Sequence, residues 1–474
     1  MEPSPLLEDG GVPAPVPGSF RDPRARVFAT DDAILRALNP AGAEDFARLE
    51  STSFYGAAQR RGTIVPTRRA TGAAADRLKS EGWSEVLLHE RIPVVTYPYE
   101  WSFSMLQDAA LLQLQLVADG LGEGISCKDG TSYNVQFVGS QPTFIDIGSF
   151  APLAGGDAWP GYRQFCSLFL YPLLLESYLD VSFAPWLRGS LEGMTPEVAD
   201  RLLRGRARMR RGVLTHVTLQ AVAARRYAEK DDPAAELASG QESNATIIEA
   251  LCKRTTALVE SLRAPGSATT WSDYSGRSHY GGSSLDEKDR FVREVLAEAE
   301  PTTVVDLGCN DGRYAELAAE YATSVVAIDA DRRVVDQMYQ RLRGRNLPIL
   351  AMVGDLADPS PGLGWDLTER TPLSERLDAD LSLSLALIHH LVIGRNIPIG
   401  AYLDALGAIA PRTVLEVPHR DDPMVRRMLA PKPPDTHDDY QLEVIRRLIE
   451  ERFEIRRELA LSSGTRTIFD LVRR

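Results

Sequence analysis

The stretch VVDLGCNDGRY, residues 304–314, decides the fold of the C-terminal part of the chain. Apolar Val304 and Val305 lead into Asp306, glycines follow at 308 and 312, and Tyr314, Leu317, Ala318 and Tyr321 then recur at helical spacing. A strand that passes through an acid into a glycine turn and a helix presents open backbone N–H groups at one point. Gly308 and Gly312 let the backbone take positive φ or lie close to a ligand. A dinucleotide turn carries its glycines as G-x-G-x-x-G. Here Asn310 holds the middle position and Arg313 the third, so a pyrophosphate would meet a bulky side chain and NAD is disfavoured.

Working outward, the next strand spans 325–328, and Val334, Met338 and Leu342 mark a helix. Residues 349–353, 381–387 and 413–417 continue the strand series, and 453–459 with 466–472 form a late antiparallel pair. This alternation predicts an α/β fold over 286–474, a Rossmann-like doubly wound parallel sheet with helices on both faces. Asp329 ends the second strand, about 20 residues beyond the turn, where an acid can accept both hydroxyls of a ribose. Gly354-Asp355-Leu356 follows the third strand, and its carboxylate can receive an exocyclic adenine amine. Asp306, Asp329 and Asp355 therefore fall at the carboxyl ends of neighbouring strands, where open α/β sheets bind ligands.

In this order the elements resemble the class I S-adenosylmethionine-dependent methyltransferases over residues 286–474. The resemblance implies S-adenosyl-L-methionine as cofactor. Asp306 and Gly308 would face its methionine moiety, with Asn310 and Gly312 completing the turn, Asp329 the ribose, and Asp355 and Leu356 the adenine. It also implies in-line displacement at a sulfonium methyl, in which the protein aligns nucleophile and methyl group and a positioned base takes the proton. The candidate bases are His389 and His390 in SLSLALIHHLVIGRNIP, and Glu416 and His419 in LEVPHRDD. Each histidine has the alternative of packing at the sheet edge. Glu416-x-x-His419 with the histidine pair could also ligate a metal, but the spacing requires no further ligand and no metal is expected. Tyr274 and Tyr280, in the soft stretch GSATTWSDYSGRSHYGGSS, are candidates for a lid or for linker anchors.

Upstream, CKDGTSYNVQF and PTFIDIGSF carry Asp129-x4-Asn134 followed by Asp146-Ile147-Gly148. This matches the order and spacing of a kinase catalytic loop and its metal-binding Asp-Phe-Gly. The segment from about 85 to 225 resembles the larger lobe of protein-kinase-like or aminoglycoside-phosphotransferase-like proteins. That implies Asp129 as acid/base and Asn134 and Asp146 as magnesium ligands. The departures are Cys127 and Lys128 before the aspartate, no glycine-rich phosphate loop upstream, and Lys79 as the only lysine ahead of the loop. The expectation is an α+β, degenerate kinase-like domain that binds or presents the acceptor. Mg-ATP belongs only to the alternative of a bifunctional kinase-methyltransferase, and a third alternative is a non-catalytic cofactor-binding scaffold. From about Glu85 onward the chain is similar to the methyltransferases related to host-specific nodulation proteins of rhizobia, most clearly at YPYEWSFSMLQDAA, KDGTSYNVQF, FIDIGSF and GYRQF. That similarity implies a small-molecule or glycan acceptor methylated on oxygen or nitrogen.

Organisation and composition fit this reading. The expected parts are a flexible Pro/Gly tail (1–25), the kinase-like domain (26–227), a linker with one helix and a possible lid (228–285), and the methyltransferase domain (286–474). The 474 residues are 44% hydrophobic and 25% charged, and no apolar run approaches the about 20 residues of a spanning helix. No membrane insertion and no signal peptide are expected. A net charge of -13 makes a nucleic-acid partner unlikely. The four cysteines show no disulfide or metal spacing, which fits a cytoplasmic protein. The oligomeric state is not fixed by the sequence.

Overall fold

In a computed structural model the chain is described over residues 11–31, 33–153, 159–228, 245–266 and 282–474. It divides into two compact units. The first comprises 1–137, 141–266 and 363–370; the second comprises 138–140, 267–362 and 371–474.

The second unit is built on one seven-stranded sheet. Its strands are β1 (Thr303–Leu307), β2 (Ser324–Asp329), β3 (Ile349–Val353), β4 (Leu381–Ser384), β5 (Arg412–Pro418), β6 (Phe453–Ala460) and β7 (Arg466–Arg473). The spatial order is β3-β2-β1-β4-β5-β7-β6. The first five are mutually parallel, whereas β7 runs antiparallel to both β5 and β6. Strands covered on both faces carry near-continuous apolar runs, and Val304, Val305, Leu307, Val325 to Ile328 and Ile349 to Met352 are all buried. The principal helices are α1 (Gly282–Ala299), α2 (Arg313–Ala318), α3 (Arg332–Leu342), α4 (Ile388–Arg395), α5 (Ile399–Ile409), α6 (Pro423–Leu429) and α7 (Leu442–Glu450). One boundary departs from the sequence reading. The fourth strand stops at Ser384 because Ala386 turns the chain at φ +55°, a conformation no strand residue holds.

The first unit opens with an antiparallel five-stranded sheet. Its spatial order is Ala14–Pro15, Ala25–Ala29, Ile34–Leu38, Glu85–His89, Thr67–Arg69. The strand at 14–15 and the helical turn Ser19–Arg21 lie inside the expected tail. Helix Phe103–Leu121, capped by the Ser102 hydroxyl, is buried on most of its circumference. The helix expected in a linker, Ala245–Ser261, packs against it: Gln107 Nε2 donates to Val259 O (2.7 Å) and Leu262 O (3.2 Å), and Ile248, Cys252, Thr255 and Leu258 are buried. That helix is part of the first unit. Among the described residues no helix is long and apolar enough to cross a membrane.

Candidate active site

The glycine turn leaves β1 with Gly308 at φ +72°, Asn310 at +48° and Gly312 at +81°. Such values cost little for glycine and are tolerated by asparagine. The N–H groups of Gly308 and Cys309 both donate to Ile328 O, at 2.9 and 3.0 Å. Asp329, ending β2, accepts from Asn310 N on one carboxylate oxygen and from Asp331 N on the other, each at 2.9 Å. The turn is thereby pinned to the end of the neighbouring strand. A Cβ at Gly308 would stand 3.0 Å from Leu387 Cδ1, and one at Gly312 would collide with the Met338 sulfur.

Asp306 is 2% exposed, and among the described residues its Oδ2 has no hydrogen-bond partner. Burial, with Asp329 and Asp311 nearby, outweighs the Lys288 charge and pushes its carboxyl up to about 7. Burial also raises Asp329, against its backbone donors. Asp355, half-buried after β3, accepts from Ala357 N (2.9 Å) and pairs with Arg395 of α4 at 2.9 Å. Leu356 beside it is half-buried.

The edge of β4 and β5 carries the expected bases. His389 is fully buried, among the described residues neither ring nitrogen is hydrogen-bonded, and its ring lies 4.0 Å from that of His390. Burial, with His390 and the Arg466 charge beside it, holds His389 well below the usual histidine range. Burial, with the Arg466 charge, lowers His390 to about 4. His419 is held at the start of β7, its backbone N donating to Thr465 O (2.8 Å) and its Nε2 bonded to Thr467 Oγ1 (2.9 Å).

Glu416 does something the sequence did not disclose. It lies at the centre of a buried ion chain, with Lys288 Nζ at 2.6 Å from Oε2 and Arg466 Nη1 at 3.0 Å from Oε1. Arg466 Nε continues to Asp422 Oδ2 at 2.8 Å, and none of the four side chains is more than 4% exposed. Burial works against the Lys288 charge, yet Glu416 beside it holds the ammonium above the usual lysine range. Both carboxylate oxygens of Glu416 are occupied by cations, so its geometry is that of an anchor rather than of a base. Lys288 was findable: Ser284, Lys288, Phe291 and Val295 share the buried stripe of α1. Arg466 meets Glu416 and Asp422 only through the β5–β7 pairing, which no local spacing reveals. Among the described residues no group of three or more His, Cys, Asp or Glu could hold a metal ion. Tyr274 and Tyr280 lie outside the described residues.

In the first unit, the pairing of Ile125–Cys127 with Phe150–Pro152 brings Asp129, Asn134 and Asp146 together around Ser149. Ser149 Oγ lies 2.9 Å from Asp129 Oδ2 and 2.8 Å from Asp146 Oδ2, and accepts from Asn134 Nδ2 at 2.9 Å. Burial, with Asp146 adding to it, raises the Asp129 carboxyl. Arg36, the one charged residue of strand Ile34–Leu38, pairs with Asp146 Oδ1 at 2.7 Å. A single charge inside an apolar strand was the available signal for it.

The second unit is thus a doubly wound α/β domain whose glycine turn, acids and histidine pair gather at the ligand edge of its sheet. Over 477 residues the chain is 33% identical to the nodulation protein NoeA of Rhizobium meliloti (strain 1021), covering 100% of this chain and 99% of that protein, and it belongs to the NoeA family. No protein-family model matches the chain. Among solved structures, the magnesium protoporphyrin IX methyltransferase (ChlM) of Synechocystis PCC 6803 is 18% identical, with TM-score 0.29, over 44% of this chain and 90% of that one. The N-methyltransferase NodS of Bradyrhizobium japonicum WM9 is 13% identical, with TM-score 0.30, over 40% and 97%. WbdD is 20% identical, with TM-score 0.31, over 46% of each chain.

Proposed function

We propose that the chain is an S-adenosyl-L-methionine-dependent methyltransferase acting on an oxygen or nitrogen of a small molecule or glycan. The observation that carries this reading is the buried Asp306 oxygen, unpartnered among the described residues, beside a glycine turn that a Cβ would obstruct. A buried carboxylate oxygen without a partner is costly, and the ammonium of an amino-acid-bearing nucleoside relieves that cost. Asp329, on the adjacent strand, keeps lone pairs for ribose hydroxyls in spite of its two backbone donors. Asp355 and Leu356 would border the adenine. These residues fit the cofactor, which when bound supplies an electrophilic sulfonium methyl group.

His390 is the proposed proton acceptor. Burial and the Arg466 charge keep it uncharged at neutral pH and make it a weak base, so it would take the proton as the methyl group transfers rather than ionise the acceptor beforehand. His389 packs against it and fixes its ring plane. Glu416 serves as the anchor that holds Lys288 and Arg466, and His419 ties the β5 end to β7. The first unit is read as a degenerate kinase-like module that binds or presents the acceptor. Its kinase likeness rests on the sequence pattern and on Asp129, Asn134 and Asp146 converging at Ser149. A cytoplasmic setting is supported by four cysteines that are all buried and free.

The test is transfer of tritiated methyl from S-adenosylmethionine to a panel of glycans and small hydroxyl- or amine-bearing molecules. His390→Ala is expected to lower turnover about a hundredfold with cofactor affinity retained. Because His390 titrates near 4, wild-type turnover should show no acidic limb attributable to it between pH 5.5 and about 7. Full turnover in His390→Ala would remove it from the base role, and no transfer to any acceptor, with cofactor bound, would favour a scaffold.

A further inference from the structure

A kinase-like first unit implies a magnesium nucleotide, and the residues present do not fit one. We infer that Arg36 is the permanent counter-cation of the Asp129–Asp146 cluster, standing where phosphotransfer chemistry would place a divalent metal, so that the first unit binds no magnesium nucleotide. This inference is independent of the methyl-transfer reading.

The guanidinium is held from two sides. Arg36 is 7% exposed and pairs with Asp146 Oδ1 at 2.7 Å, while its Nη2 donates to Ile145 O at 3.4 Å. Behind it, Nε lies 3.2 Å from His89 Nε2. Arginine only donates, so His89 Nε2 accepts and the ring proton sits on Nδ1. That nitrogen donates to Thr67 Oγ1 (2.8 Å), whose own hydroxyl donates to Val65 O (2.9 Å). His89 is 6% exposed and uncharged, since burial and the Arg36 charge keep it well below the usual histidine range. Every donor and acceptor along this chain is oriented, which leaves Arg36 pre-set against Asp146.

The other side of Asp146 is also taken, by Ser149 Oγ at 2.8 Å and Asn134 Nδ2 at 3.4 Å. Magnesium requires near-ideal octahedral coordination by oxygens at about 2.0–2.1 Å, and a guanidinium already bonded to the same carboxylate repels it. Asp22 adds a third acid: its Oδ2, Arg36 Nη1 and Asp146 Oδ1 all lie within 3.4 Å of where a Cβ on Gly148 would be. A carboxylate at that point repels the phosphates that a metal would bring.

Manganese is the probe, titrated into the full chain with and without ATP and followed by calorimetry and by the resonance of free Mn2+. Wild type is expected to bind neither Mn2+ nor Mn-ATP up to millimolar concentration. Arg36→Met keeps much of the apolar stem and removes the charge; it should bind Mn2+ at least tenfold more tightly than wild type, and adding Asp146→Asn should abolish the gain. Wild-type binding of Mn-ATP that is lost in Asp146→Asn would overturn the inference and make the first unit a nucleotide site. A folded Arg36→Met chain that gains no metal would overturn the counter-cation role. Should Arg36→Met fail to fold, the wild-type and Asp146→Asn titrations decide: binding that Asp146→Asn removes overturns the inference, and wild-type titration with no binding that depends on Asp146 supports it.

Discussion

Gly308→Val is expected to weaken S-adenosylhomocysteine binding by about a hundredfold, close to 2.7 kcal/mol, while the chain still folds. Gly308 sits at φ +72°, where a β-branched residue is strained by about 1–3 kcal/mol. That lies within a domain's margin of about 5–15 kcal/mol, so the fold survives. Relief comes from moving the turn, because the new side chain also presses on Leu387. Moving it displaces the Gly308 and Cys309 donors from Ile328 O and disturbs the Asn310–Asp329 contact at the end proposed for the ribose. Calorimetric affinity together with circular dichroism checks both halves, and unchanged affinity in a folded variant would remove the turn from the cofactor site.

Glu416→Ala should destabilise the second unit by about 3–5 kcal/mol, because it leaves Lys288 and Arg466 buried without their shared carboxylate. Breaking a buried pair from one side is far more costly than its net contribution suggests. Glu416→Gln keeps the shape, loses the charge and should fall between wild type and Glu416→Ala. Urea unfolding measures the loss. The experiment also separates two roles: an anchor loses stability in both variants, whereas a base would lose turnover in Glu416→Gln with stability intact. A loss below about 1 kcal/mol in Glu416→Ala would contradict the anchor role.

The parts legible in the sequence were those set by local chemistry. Apolar runs and helical spacing placed the strands of the second unit, and the late antiparallel pair falls at 453–460 and 466–473. The turn residues 308, 310 and 312 all take the positive φ that their types permit. Asp306 and Asp329 flank that turn for the same local reason. What escaped was built by pairings distant in sequence. Lys288 reaches Glu416 across the fold, Arg466 reaches Asp422 through a strand reversal, and Arg36 reaches Asp146 from another sheet. The helix at 245–261 was expected in a connector because polar, small-residue stretches flank it on both sides, and its packing on Phe103–Leu121 joins residues far apart in sequence. Ala386 at φ +55° ended a strand that apolarity alone extended to 387.

The most direct test of the cofactor assignment is calorimetric titration of S-adenosylhomocysteine at pH 6 and pH 8, in buffers of different ionisation enthalpy. The Asp306 carboxyl, raised by burial to about 7, is largely protonated at pH 6 and ionised at pH 8. In the free chain a raised acid subtracts stability as pH climbs from the ordinary carboxylate range to about 7. A ligand ammonium favours the ionised form, so binding releases a proton below 7 and tightens as pH rises through it. One site per chain is expected, about tenfold tighter at pH 8 than at pH 6, with the proton appearing in the buffer heat and the pH dependence lost in Asp306→Asn. Absence of binding at both pH values in the folded chain would contradict the cofactor assignment outright.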